Sequence, residues 1–349
     1  VTVNGSVRRR REGVKRDYDA VIVDERQDKR PTLRDVARLA GVSHQTVSRA
    51  INDKGEIDPE TRRRVLDAAR QLHYRPSRFA RGLVRPGTTT LGLIVPDVVN
   101  PFFPELIAGV IDAAGQAGWQ VLVSSGQDDV TREPGLLRAL SGQVDALVCY
   151  LFTPETVIAD AIEGVPLVLM NQRPRNPAFG AVEIDVVGGV RALVRHLAGR
   201  GHRRLGMIDC PGANDAARRT VFLAEAAELG LAPAAVVDVE QSVAGGEDGF
   251  ARLSAAHPEV TAVFCFNDLV AVGAHRAARR LGRAVPGDVA LAGYDGLTLG
   301  ELLDPSLTTV YLDKRRMGEL AVAQARRLLS GERPEPAVLE TRLLVRESA

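Results

Sequence analysis

Between Ser43 and Asn52 the polar residues His44, Gln45, Ser48, Arg49 and Asn52 recur on one side of a helical wheel, opposite Val47 and Ile51. A glutamine amide can pair bidentately with adenine, and an arginine fork with guanine or a phosphate. Ser43 suits an N-cap, and a helix start offers free N–H groups and a positive dipole end to phosphate. The plain competitor is a polar, solvated helix surface. A second set of residues is spread through the remainder of the chain: Asp97, Phe102, Phe103, Asn171, Arg218, Asn267, Asp268 and Asp295. Arginine donates in a fixed fork, carboxylates accept from hydroxyls, and aromatic walls cover the apolar face of a ring. Together they suit a small polyhydroxylated ligand. Taken singly, each is a cap or turn residue, and for Asn267 and Asp268 that competitor is strong.

Three short helices must carry the first set. Thr32 can cap a helix with Asp35 three residues on, and Leu33, Val36, Ala37 and Ala40 follow at helical spacing. Gly41 suits a left-handed turn. Ser43 starts the second helix, and Asp58 with Pro59 the third, whose apolar stripe reads as Val65, Leu66, Ala69 and Leu72. A glycine turn between the first two helices makes a helix-turn-helix unit. A weak fourth helix can run from Ser77 to Leu83, with Gly82 lowering its propensity. It brings Arg78 and Arg81 within reach of phosphates.

Beyond Pro86 the pattern changes. Apolar runs of strand length stand at 91–95, 120–123, 146–150, 167–170, 181–184, 205–208, 236–239, 262–266 and 289–292. Helical stretches such as 105–117, 188–199 and 269–281 separate them. This alternation predicts parallel sheets in two doubly wound subdomains. In such sheets ligands bind beyond the carboxyl ends of the strands, where the second residue set falls. The expected organisation is a tail over 1–29, a helix-turn-helix domain over 30–75, a hinge helix and linker over 76–87, and a body over 88–349. The body divides into a first subdomain of 88–184 and 308–349 and a second of 185–307.

Charge is divided in the same way. From Arg30 to Arg85 there are 13 Lys and Arg against 6 Asp and Glu, and from Pro86 onward 24 against 32. A short basic domain on a large acidic one suits a polyanion-binding head. Arg8–Arg11 is followed by charge, with no signal-peptide core, and no apolar run reaches the ~20 residues of a membrane span. A cytoplasmic location without membrane contact is expected. Cys149, Cys210 and Cys265 sit singly in apolar runs and read as buried, reduced thiols.

The segment Thr32 to Asn52, TLRDVARLAGVSHQTVSRAIN, resembles the DNA-binding headpiece of the LacI/GalR repressor family. Tyr74 to Leu83 is similar to that family's hinge. Asn100–Phe103, Gly201–Arg204, Asn267–Asp268 and Gly293–Asp295 match stations of its body in order. The resemblance implies an all-α helix-turn-helix headpiece and a body with the α/β fold of periplasmic sugar-binding proteins. It implies three chain crossings between subdomains, near Asp185, after Asp295 and at Leu307. It makes His44, Gln45 and Arg49 the base-reading positions, with Ser43, Ser48 and Asn52 on the backbone; Thr32 and Thr46 complete the DNA-contacting set. It makes Leu83 an apolar wedge for the central minor groove of an operator, against the alternative that Leu83 packs within the linker. Val186 stands where many members carry Asn, which blurs the ligand class.

The implied function is a dimeric repressor of carbohydrate genes that binds near-palindromic double-stranded operator DNA under control of a sugar-like effector. A tetramer, a nucleoside or purine effector, and a solute-binding receptor are the alternatives; the last has no reason to carry the headpiece. No catalytic residue, metal site or cofactor is expected: the chain has no phosphate-binding glycine loop and no G-x-S-x-G elbow, and its six His are scattered.

Overall fold

The computed structural model describes residues 33–51, 57–72, 89–162, 164–212, 216–232, 234–333 and 335–349. The chain divides after Pro76 into two compact units.

The first unit holds α1 (Leu33–Ala40), α2 (His44–Ile51) and α3 (Pro59–Gln71). Gly41 takes φ +66° between α1 and α2, as the turn requires. Ser43 caps α2, its Oγ accepting the Thr46 N–H at 3.1 Å. Asp58 caps α3 through the Thr61 N–H at 2.9 Å, with Pro59 at the first helical position. Val36, Ala37, Val47, Ala50, Val65 and Ala68 form the core. The α3 stripe differs from the expected one: Leu66 is exposed and Ala68 is buried. Residue 66 lies ~100° round the helix from Val65, whereas 68, 69 and 72 return to its side.

Among the described residues, the second unit contains two six-stranded sheets. The first has the order β11-β5-β4-β3-β1-β2 and the second β12-β10-β9-β8-β6-β7. The strands are β1 (Thr90–Val95), β2 (Gln120–Ser125), β3 (Ala146–Tyr150), β4 (Leu167–Met170), β5 (Gly180–Ile184), β6 (Leu205–Asp209), β7 (Ala235–Asp238), β8 (Ala262–Cys265), β9 (Ala290–Asp295), β10 (Thr308–Leu312), β11 (Ala337–Leu339) and β12 (Thr341–Leu344). All pairs are parallel except β10 with β12. Between them run α4 (Phe102–Gln116), α5 (Glu133–Ser141), α6 (Glu155–Ala161), α7 (Val186–Gly199), α8 (Ala216–Glu228), α9 (Val243–Ala256), α10 (Asp268–Arg280) and α11 (Lys314–Leu329).

Strands covered on both faces read as continuous apolar runs, because alternate residues enter opposite cores. In β3, Ala146, Val148 and Tyr150 join the core of α4 and α11, while Leu147 and Cys149 join that of α5 and α6. Cys149 and Cys265 are free thiols in β3 and β8, and burial pushes both well above the ordinary thiol range. Cys210, one residue past β6, is a buried cysteine outside any disulfide among the described residues.

The subdomain boundary at 308 needs correction. β10 and β12 pair within the second sheet, and among the described residues past Leu307 only α11 and β11 return to the first subdomain. The crossings therefore fall at Asp185, Asp313 and Glu340, not at Leu307 or directly after Asp295. β10 stays because parallel pairing with β9 carries Thr308–Tyr311 alongside Ala292–Asp295.

Candidate operator interface and effector cleft

On α2, Val47 and Ala50 are buried, while His44, Gln45 and Arg49 are exposed and Thr46 and Ser48 half-buried. The exposed three form one contiguous outward face at helical spacing. The Ser43 Oγ serves the cap and also bonds the Thr46 hydroxyl at 2.9 Å. Thr32, Asn52, Arg78, Arg81 and Leu83 lie outside the described residues.

In the body, β1 lies between β3 and β2, and β6 between β8 and β7. Each sheet therefore reverses its strand order there, and the carboxyl ends at these switch points leave a crevice for a ligand. In the first subdomain Asp97 follows β1. Its oxygens accept the N–H groups of Val99 and Asn100 at 2.9 and 3.2 Å, so Asp97 builds the loop leading into α4. Asn100 then accepts from Phe102 N–H at 3.0 Å. Phe102 and Phe103 are edge-on to each other at 5.1 Å and to Tyr150 at 6.0 and 5.4 Å; Tyr150 is edge-on to Phe152 at 5.8 Å. Buried Glu133 accepts the N–H groups of Phe152 and Thr153, fixing the end of this aromatic ladder. Asn171, just past β4, takes φ +64°, a conformation that asparagine tolerates.

In the second subdomain Arg218 sits in the first turn of α8, 5% exposed. Its guanidinium carbon lies 4.3 Å from the Phe266 ring centre and 4.0 Å from that of Tyr294. Nη1 donates to the Phe266 carbonyl at 2.8 Å, and Nη2 is 3.9 Å from Asp295 Oδ1. Asp295 ends β9 at φ +109°, a strained backbone for a residue with a side chain. Asn267 caps α10 through the Val270 N–H at 3.0 Å, and its buried Nδ2 has no hydrogen-bond partner among the described residues. A buried unpaired amide costs ~1–3 kcal/mol, which a ligand acceptor would relieve.

Asp268 does not belong with these. It is fully buried, and its two oxygens accept from Thr309 Oγ1 and Leu297 N–H, both at 2.6 Å. Burial raises its carboxyl to about 6, opposed by those two hydrogen bonds. Its role is to knit α10 to β10 and to the segment after β9, which is neither a ligand contact nor a cap, since Asn267 supplies the cap of α10. Asp185 caps α7 through the Gly188 N–H at 2.9 Å.

The subdomains meet at the rims of these strand ends. Burial raises the Asp128 carboxyl, reinforced by Asp97 on its own subdomain and Glu240 on the other. At β6, burial raises Asp209, while Arg219 at 2.7 Å pulls it down. The sequence reading missed Tyr150, Phe152, Phe266 and Tyr294, which lie in or beside apolar strand runs and read there as core.

A family model for bacterial regulatory proteins of the lacI family matches residues 32–77, and one for a periplasmic binding protein-like domain matches 194–349. The ribose operon repressor of Halalkalibacterium halodurans is 32% identical over 325 residues, covering 91% of this chain and 96% of the relative. The chain belongs to the lacI family. Among solved structures, this lacI-family regulator is similar to a transcriptional regulator CelR–cellobiose complex, with TM-score 0.67 and 31% identity over 92% of this chain and 100% of the other. It is also similar to the Lac repressor dimer bound to operator, with TM-score 0.72 and 25% identity over 92% and 99%. Two units of separate fold, a headpiece and a two-sheet body, thus make a DNA-binding transcriptional regulator with a small-molecule effector. Among the described residues, no helix is long and apolar enough to cross a membrane.

Proposed function

We propose that the chain is a dimeric repressor that reads a near-palindromic operator with His44, Gln45 and Arg49 and senses a sugar in the body cleft. The observation that carries the effector half is Arg218, its guanidinium against the Phe266 and Tyr294 rings and 3.9 Å from Asp295, together with the buried Asn267 Nδ2, which has no partner among the described residues. A stacked fork, a carboxylate and an amide donor complement adjacent hydroxyls, and Phe102, Phe103, Tyr150 and Phe152 offer apolar cover. The operator half is supported by the outward face of α2 and by the basic charge from Arg30 to Arg85. Arg78 and Arg81 contact phosphates, and Leu83 wedges the central minor groove, a role that stands on the sequence. The sugar acts through its different affinity for two subdomain arrangements.

Thermal shift with D-ribose, cellobiose, lactose and a purine base tests the effector. A rise in melting temperature with a sugar supports the reading. A rise with the purine alone transfers the site to the rival ligand class.

A further inference from the structure

Lys314 opens α11, yet its side chain is fully buried. A cation at a helix N-terminus opposes the dipole, and a buried ammonium needs compensation. Here the compensation comes from main-chain carbonyls: Nζ donates to Asp295 at 2.9 Å, Leu312 at 3.2 Å and Gly296 at 3.3 Å. The Tyr311 ring centre is 5.2 Å away. Asp295 and Gly296 are consecutive positive-φ residues, at +109° and +64°. The ammonium therefore clamps the strained turn that carries the Asp295 carboxylate. On its other side Nζ lies 3.6 Å from the Glu105 carboxylate in the first turn of α4, which shares the first subdomain with α11, whereas the clamped turn belongs to the second. α4 begins with Phe102 and Phe103, and it crosses α11 at backbone contact.

We propose that Lys314 is a positioning residue of the effector site, holding the Asp295–Gly296 turn and tying it to Glu105, so that the state of the turn in one subdomain is felt by the aromatic helix of the other. The effector role of Asp295 rests on the proposed function; the latch itself does not require it.

Hydrogen exchange on the full chain without any sugar tests the latch. The reporters are the amides of Gly296 and Leu297, which bond Thr309 Oγ1 and Asp268 Oδ2. Lys314→Met is expected to speed their exchange about tenfold or more, the consequence of losing charge-assisted bonds. Glu105→Gln, a change on the other subdomain, is expected to speed it less, and to add nothing in the Lys314→Met background. A merely local role for Lys314 would leave the Gly296 and Leu297 amides insensitive to Glu105→Gln. That result, or additive effects in the double variant, overturns the proposal. Should Lys314→Met not fold, the partly exposed Glu105→Gln alone decides. In a second arm, cellobiose and D-ribose are titrated into wild type and Glu105→Gln, with weaker binding expected in the variant. Equal affinity in the two overturns the link to the site. If neither sugar binds wild type, this arm is run with whichever sugar raises its melting temperature, and the exchange arm still decides the latch.

Discussion

Arg218, in the first turn of α8, and Asp295, at the end of β9, stand 3.9 Å apart, with the guanidinium carbon 4.3 Å from the Phe266 ring centre and 4.0 Å from that of Tyr294. The arginine is thereby oriented before any ligand arrives, and ordering it costs the ligand little.

Arg218→Lys keeps the charge but loses the planar fork and both ring stacks. Affinity for whichever sugar stabilises the wild type is expected to fall by ~1.5–3 kcal/mol, with operator affinity in its absence little changed. Calorimetry with the sugar and a DNA titration without it provide the two readings. Undiminished sugar binding would place the effector elsewhere.

Gln45 is exposed on the outward face of α2, away from Val47 and Ala50. Gln45→Ala is expected to relax base preference at one symmetric pair of operator positions, at ~1–3 kcal/mol per half-site. Selection of binding sites from random DNA checks this. An unchanged motif removes Gln45 from the base-reading set.

Asp268 ties stability to pH in an unusual direction. Its folded carboxyl is raised to about 6 by burial, above the ordinary aspartate value near 4. Between those values the folded state binds the extra proton, so stability falls as pH rises through the window. The loss from this one group approaches ~2–3 kcal/mol above pH 6. Melting temperatures of wild type and Asp268→Asn from pH 4 to pH 7 check it. The variant is expected to show a shallower decline, and parallel curves would refute the assignment.

The sheets were legible in the sequence because strands such as Leu91–Val95 and Ala146–Tyr150 are apolar throughout. β10 was not, since Thr308 and Thr309 open it and break the apolar pattern although both are fully buried. β11 and β12 are three and four residues long, separated by Glu340 alone, and they enter different sheets. No local pattern announces such a switch. At the site, Arg218, Asn267 and Asp295 stood out as polar residues at strand ends. Asp268 stood out equally, and only its bonds to Thr309 and Leu297 turn it away from the others. Lys314 was invisible because a lysine at a helix start is ordinarily solvated.

Two glycines on α4 separate packing from helix propensity. A Cβ at Gly109 would stand 2.3 Å from the Arg315 carbonyl oxygen and 2.7 Å from its Cα, whereas at Gly115 nothing lies within 4 Å. A Cβ at Gly318 on α11 would likewise stand 2.6 Å from the Val110 nitrogen, so the tight approach is shared by both helices. Replacing Gly115 with Ala gains ~0.5–1 kcal/mol from helix propensity and a less flexible unfolded chain. Gly109→Ala gains the same propensity but forces α4 from α11, and overpacking of this kind costs ~3 kcal/mol. Its net effect is therefore a destabilisation of ~2 kcal/mol. Urea denaturation of both variants is expected to shift the midpoint in opposite directions on the same helix. A neutral or stabilising Gly109→Ala would mean that α4 and α11 are not at backbone contact.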